Sequence, residues 1–242
     1  MPMIRLHVET TLHEGAMPAG TARHAHYLGT VMRRGPGDAV ALFNAGDGEF
    51  QAEIATLRKD RITFRVGARL RTPAPESGPW LVFAAVKREA MDLIAEKATE
   101  LGAAVLQPVL AARSNVTRVG TERLRAIAIE AAEQCGRLSV PDLREPVPLP
   151  VLIGGWDAAR SLVVADESGT APPLARVLAD AGSRPLALLI GPEGGFDPLE
   201  LDGLRRRPFV LAAGLGPRIL RAETAAIAGL ALIQALTGDW RG

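Results

Sequence analysis

Three groups of residues have types and spacings suited to chemistry on a bound ligand. The first is Gly191-Pro192-Glu193-Gly194-Gly195, directly after the apolar run LALLI. Glycines open backbone angles closed to other residues and let a ligand approach the main chain, and proline stiffens the turn. Glu193 can accept hydrogen bonds from turn amides or a substrate, or pair with Arg218 or Arg221. The second group repeats the device with Gly214, Gly216 and Pro217, followed by Arg218, Arg221, Glu223 and Thr224. A carboxylate in the first turn of a helix is favoured by roughly 0.3 to 1 kcal/mol, which gives Glu223 a structural reason to be there; a cation is disfavoured, so Arg221 has none. The third group is Glu130, Gln134 and Arg137, spaced to share one helix face, which is equally the pattern of a solvated face with an i,i+4 pair between Glu133 and Arg137. Arg113, just past an apolar run ending at Leu110, can hold a phosphate or be an ordinary surface cation.

These groups need a scaffold that brings distant loops together. Buried apolar runs that end in glycine-rich turns and lead into helices belong to the carboxyl edge of an open α/β sheet, where ligands bind. From Trp80 the chain keeps that rhythm, with strands in WLVFAAV, AAVLQPVL, SLVVADES, PLALLIG and PFVLAAG. Between them lie helices in REAMDLIAEKATELG, TERLRAIAIEAAEQCGRL, APPLARVLADAG and DPLELDGLRRR, and a long Ala/Leu/Ile helix closes the chain from about Arg221 to Leu236. A mainly parallel sheet covered on both faces is expected over 80–242. Residues 1–72 read differently: IRLHVE, DAVALFN, GEFQAEIATL and RITFRV alternate at period two around one short helix in TARHAHYLGTVMR, which predicts a compact β-barrel. TPAPESGP, with three prolines, marks 73–79 as an interdomain linker.

Composition excludes several classes. One cysteine, Cys135, excludes an internal disulfide, and His7, His13, His24 and His26 fall at no metal-ligand or nucleophile spacing, so no metal is expected. GLGPRI lacks the third glycine and the acidic strand end of a dinucleotide fingerprint, which disfavours an oxidoreductase. No apolar run spans a membrane without interruption and the N-terminus has no apolar signal region, so the expectation is a cytoplasmic protein with no membrane partner. Net charge is +1, but residues 1–72 hold ten basic and seven acidic side chains, and the remainder eighteen against twenty. The N-terminal region is therefore the better RNA-facing surface, with Arg5, Arg23, Arg33 and Arg34 as its expected contacts.

LIGPEGGF, LGPRILRAETA, EKATELGA, ARS and EAAEQCGR, in their spacing, resemble the RsmE family of SPOUT-class methyltransferases, which methylate uridine N3 in small-subunit ribosomal RNA. HAHYLGTVMRRGPGDAVALFNAGDGEFQAEI extends the resemblance to that family's N-terminal PUA-like domain; Met32 and Cys135 stand where the family often has leucine and serine. The resemblance implies an α/β fold with a deep trefoil knot over 80–242, S-adenosylmethionine held among the knot loops, and a homodimer acting on 16S rRNA of the small ribosomal subunit. Carried over by position, the cofactor residues are Ala165 and Glu167; Ile190, Gly191, Pro192, Gly194 and Gly195; and Leu211, Leu215, Gly216, Ile219 and Leu220.

The chemistry constrains the rest. Uridine N3 carries a proton on the Watson–Crick edge, so the base must be unpaired or flipped, the proton must leave, and negative charge on the uracil oxygens must be stabilised. Arg221, with Arg113 or Arg137, is the expected electrophilic or RNA-positioning group, and Glu130 or Glu193 the weaker candidate for proton acceptor. The competing reading is a non-catalytic RNA-binding ribosome assembly factor of the same fold. Intact glycine turns disfavour it, since a protein with no cofactor has no need to keep them.

Overall fold

The computed structural model describes residues 3–114, 116 and 118–241, so residues 115 and 117 of the polar stretch after Leu110 lie outside it. The chain forms two compact units. One comprises Met1–Glu76 with Ala132–Val140, the other Ser77–Ala131 with Pro141–Gly242. Residues 132–140, expected with the second unit, thus belong to the first.

The first unit contains β1 (Arg5–His7), α1 (Ala22–His26), β2 (Ala39–Asn44), β3 (Gly48–Leu57) and β4 (Ile62–Arg71). β1 pairs parallel with β2, and β2, β3 and β4 form an antiparallel meander. Period-two alternation turns Leu6, Leu42, Ile54 and Phe64 into one core. Residues 15–20 cover the outer edge of β4, with Gly15 N donating to Val66 O and Gly20 N to Ile62 O, both at 2.9 Å. The β-rich unit expected from the sequence is thus built on a four-stranded sheet with one covered edge. Thr21 and His24 form a capping box for α1, which runs on into a π-helical turn over Tyr27–Val31. Arg33 then takes a left-handed φ of 51°, a conformation that costs a non-glycine residue free energy.

Arg5 and Arg137 depart from their expected roles. Arg5 donates through Nε to Glu49 at 2.6 Å, through one terminal nitrogen to the carbonyls of Ala132 and Glu133, and through the other to Arg137 O at 2.6 Å. Arg71 binds the other oxygen of buried Glu49 and the carbonyl of Gly136. Two guanidiniums so oriented satisfy carbonyls at the end of a helix that no further turn can reach. Arg5 is therefore committed inside the unit and is not a free cation for RNA. The Arg137 side chain is only 9% exposed and donates to Glu76 and Ser139, each at 2.9 Å. It too is a structural cation, and the acceptor from the expected linker, Glu76, is anchored rather than loose.

The second unit contains β5 (Trp80–Ala84), α2 (Arg88–Glu100), β6 (Val105–Leu110), α3 (Thr121–Cys135, whose last four residues belong to the first unit), β7 (Asp142–Leu143), β8 (Val147–Pro148), α4 (Leu149–Gly154), β9 (Ser161–Ala165), α5 (Leu174–Asp180), β10 (Leu186–Ile190), α6 (Pro198–Arg205), β11 (Val210–Ala213) and α7 (Ala222–Thr237). The sheet order is β11-β9-β10-β5-β6-β7, parallel throughout, with β8 beside β6. One face packs on α2, α5 and α7 through Ile94, Val177 and Leu230; the other packs on α4 and α6 through Ile153 and Leu204. Burial of Met91, Ile94 and Ala98 follows from their helical spacing. The short elements β7, β8 and α4 were not anticipated. They compensate for Pro108: β6 pairs with β7 at Val105 and Leu106 and with β8 at Val109 and Leu110, the neighbour changing where proline has no amide to give. Gln107 spans the break, its side-chain amide donating to Pro108 O and Glu145 O at 2.9 Å each.

Candidate active site

Because β11, β9 and β10 are parallel neighbours, the turns that follow them emerge at one edge of the sheet. The order also reverses here, since the chain passes from β9 to β10 on one side and then to β11 on the other, the arrangement that opens a ligand crevice. A cavity of about 320 Å³ occupies this edge. The turn after β9 contributes Asp166, Glu167, Ser168 and Gly169; the turn after β10 contributes Gly191, Pro192, Glu193, Gly195 and Phe196; the turn after β11 contributes Leu215 through Leu220.

Each turn has a local reason for its shape. Asp166 N donates to Ala213 O, and Gly214 N to Pro172 O at 2.8 Å, which ties the first and third turns together. Gly195 adopts φ +67°, and its amide donates to Pro192 O at 2.9 Å, closing the second turn. A Cβ on Gly195 would lie 2.2 Å from Glu167 Oε1, and one on Gly191 would lie 3.0 Å from the Phe196 ring. Gly195 is therefore required by its left-handed backbone, with a Cβ there also displacing the Glu167 carboxylate, whereas at Gly191 the constraint is the closeness of the Phe196 ring. α6 starts with a capping box between Asp197 and Glu200 and has proline in its first turn, which fixes where the second turn ends.

The electrostatics of the walls are uneven. Glu167, Glu193 and Asp166 face one lining cation, Arg218. The Asp166 side chain is 1% exposed and pairs with Arg205. Burial pushes its carboxyl up, but hydrogen bonds from Ser168 and the Arg205 guanidinium outweigh that and hold it below the usual carboxylate range. With Asp166 so matched, Glu167 and Glu193 leave a negative surplus, the environment suited to a ligand with a cationic centre. Ile190, Leu215, Ile219, Leu220, Ala222 and Ala225 give the same cavity an apolar side.

The structure gathers most of the expected cofactor residues on this cavity: Ala165, Glu167, Ile190, Gly191, Pro192, Gly195, Leu215, Gly216, Ile219 and Leu220. Gly194 and Leu211 fall outside the lining. Gly194 is exposed, with room for a Cβ whose nearest neighbour is Arg113 at 3.9 Å, and Leu211, on β11, is half-buried against the core. Of the expected chemical groups, Glu193 lines the cavity, while Arg221 is the exposed residue that precedes α7 and has no side-chain capping bond. Arg113 donates to Gly194 O at 3.0 Å and lies 3.6 Å from Asp197. Glu130 is exposed on α3 and is not among the lining residues. Ser168, Gly169 and Phe196 line the cavity without an expectation from the sequence, whereas Asp166 lies between two expected residues and Arg218 within the expected third turn. Among the described residues no group of three or more His, Cys, Asp or Glu side chains converges as a metal site, and no helix is long and apolar enough to cross a membrane.

Residues 76–234 match an RNA methyltransferase domain and residues 21–67 an RNA methyltransferase PUA domain. The chain is 32% identical to the ribosomal RNA small subunit methyltransferase E of Bacillus subtilis, over 92% of this chain and 91% of that one. The chain belongs to the RsmE family. The Rickettsia conorii member is 30% identical over 96% of this chain and 95% of its own. Among solved structures, the member from Neisseria gonorrhoeae bound to S-adenosyl methionine superposes with a TM-score of 0.86 at 26% identity, covering 99% of this chain and all of that one. A structure from Legionella pneumophila in complex with the cofactor SAM gives 0.88 at 30% identity, with 99% of this chain covered and 100% of that one.

Proposed function

We propose that this chain is an S-adenosylmethionine-dependent methyltransferase that modifies N3 of a uridine in 16S rRNA. The observation that carries the proposal is the acid-lined, glycine-walled cavity at the shared carboxyl edge of β9, β10 and β11 in a chain of the RsmE family. The cavity fits the cofactor: Glu167 and Glu193 suit a sulfonium cation, Leu215 and Ile219 an apolar ring face, and the open backbone at Gly191 and Gly195 a close approach. When bound there, S-adenosylmethionine supplies an electrophilic methyl group. The same reading includes the deep trefoil knot expected of the SPOUT class and a homodimer, and the exposure of Leu232 and Leu236 on α7, each about 40% accessible, supports pairing through that helix.

The residues divide the work. Arg221, exposed beside the cavity turn, neutralises negative charge on the uracil oxygens as N3 loses its proton. Glu193, on the cavity wall, is the preferred proton acceptor, ahead of Glu130 on α3. Arg23, Arg33 and Arg34 contact RNA phosphates in the first unit, in the cytoplasm where assembling ribosomal subunits are found. Arg221→Ala is expected to bind S-adenosylhomocysteine normally and to lose about two orders of magnitude or more in methyl transfer, the usual cost of removing one charge-stabilising donor. Mass spectrometry of rRNA digests reads both this rate and the product. Full activity in the variant sinks the role of Arg221, and rRNA from a deletion strain that keeps its N3-methyluridine sinks the function.

A further inference from the structure

We propose that Arg113 and Glu200 form a clip that holds the Gly194–Gly195 turn in shape, making both positioning residues for the cavity. The inference rests on the reading of that cavity as the cofactor site. Glu200, in the first turn of α6, accepts Ala112 N through Oε1 at 2.8 Å and Asp197 N through Oε2 at 3.2 Å. In the opposite direction Arg113 donates to Gly194 O at 3.0 Å and approaches Asp197 Oδ2 at 3.6 Å. The two loops thus exchange an amide, a guanidinium, a carboxylate and a carbonyl. They follow β6 and β10, which are not neighbours: β5 lies between them, so the clip crosses about two strand spacings, roughly 9.6 Å.

A turn made of Gly-Pro-Glu-Gly-Gly has few side chains to pack, so hydrogen bonds to its backbone decide its conformation. The Gly194 carbonyl is the acceptor beside Gly195, whose left-handed backbone and closeness to Glu167 shape the cavity wall. Arg113 and Asp197 are 48% and 34% exposed. An exposed pair adds little to global stability, so its effect falls on the turn it grips rather than on the fold. Arg113 on this account serves the cofactor through Gly194, not RNA through a phosphate.

The experiment compares wild type with Arg113→Ala and Glu200→Ala by three readouts. Hydrogen exchange of the ligand-free protein is expected to be about three- to tenfold faster at the amides of residues 193–196 in both variants, the range given by one hydrogen bond of ordinary net strength. Calorimetry with S-adenosylhomocysteine is expected to show a similar loss of affinity, smaller in the double variant than the two losses combined, because the groups act on one turn. The salt dependence of RNA binding is expected to stay unchanged in Arg113→Ala. Unchanged exchange and affinity in both variants overturns the clip. So does a salt slope reduced by about one with normal cofactor affinity, which makes Arg113 a phosphate contact. Wild-type protein that binds no S-adenosylhomocysteine overturns the cavity reading and the clip's purpose, a result distinct from the exchange measurement.

Discussion

Gly194 and Gly195 are adjacent, chemically identical and predicted to behave differently. Gly195 sits at φ +67°, where an L side chain costs about 1 to 2 kcal/mol. An added Cβ would also lie 2.2 Å from Glu167 Oε1, so the carboxylate must move off its place on the cavity wall. Gly194 has no positive φ, and a Cβ there meets nothing nearer than Arg113 at 3.9 Å, ordinary van der Waals contact. If Gly195→Ala relieves strain by shifting the turn away from its ligand-receiving shape, affinity falls by the strain that must be restored on binding, about 5- to 30-fold. The displaced Glu167 adds to that figure. Gly194→Ala is expected within about twofold of wild type. Titration calorimetry with S-adenosylhomocysteine measures both, and urea unfolding checks that each variant is folded. Gly195→Asn provides a further check, because asparagine tolerates the left-handed region better than alanine and restores part of the backbone loss. Equal losses in the two alanine variants, or the larger loss in Gly194→Ala, would refute the assignment of Gly195 as the conformationally required wall of the site.

The first unit contains a pH-sensitive element. Burial, with smaller contributions from the charges of Arg23 and His7, lowers His24 from 6.5 to about 4, and its Nδ1 accepts the Thr21 amide. The unfolded chain takes up this proton at higher pH than the folded one, so stability is complete at neutral pH and declines between about 6.5 and 4, by on the order of 3 kcal/mol at the lower end. Urea midpoints at pH 7 and 5 measure it, and His24→Asn is expected to flatten the difference. Arg205→Met strands buried Asp166 and is expected to cost roughly 1.5 to 3 kcal/mol together with cofactor affinity. Because the carboxyl is held below its ordinary 3.8, its contribution is present at neutral pH and lost as pH falls below that value, and this acid dependence shrinks in the variant. Glu49→Ala leaves the Arg5 and Arg71 guanidiniums without their shared carboxylate and is expected to cost about 3 to 5 kcal/mol in urea unfolding. Arg33→Ala is expected to lower the salt slope of RNA binding by about 0.9 or less with cofactor affinity intact; an unchanged slope removes Arg33 from the RNA surface.

Much of the second unit was legible because its strands and helices differ in period and its turns are marked by glycine and proline. The turn sequences also identified most of the cavity wall. Sequence could not show which glycine of a pair takes a positive φ, and that is where Gly194 and Gly195 separate. It could not show that Arg5, outward-facing by alternation beside Leu6, meets the carbonyls of residues 132, 133 and 137. Nor could it show that the polar Asp166 is buried, since its burial depends on Arg205 from another element. β7, β8 and α4 escaped because they answer a gap left by Pro108, a requirement visible only once β6 has neighbours.

The membership of Ala132–Val140 in the first unit has a consequence for how the chain is made. Phe43 shares a small core with Ala132 and Leu138, and Glu76 awaits Arg137, Leu138 and Ser139. A ribosome that has released residues 1–76 has therefore released an unfinished module, whose remaining core is still more than fifty residues away in the chain. Folding of the N-terminal module during synthesis has to wait for the first strands and helices of its neighbour to emerge. For the same reason a shortened protein ending at Glu76 would expose Phe43, deprive the Arg5 and Arg71 guanidiniums of their carbonyl acceptors and leave Glu76 without its donors, so the N-terminal module is not a cassette that can be lifted out and moved.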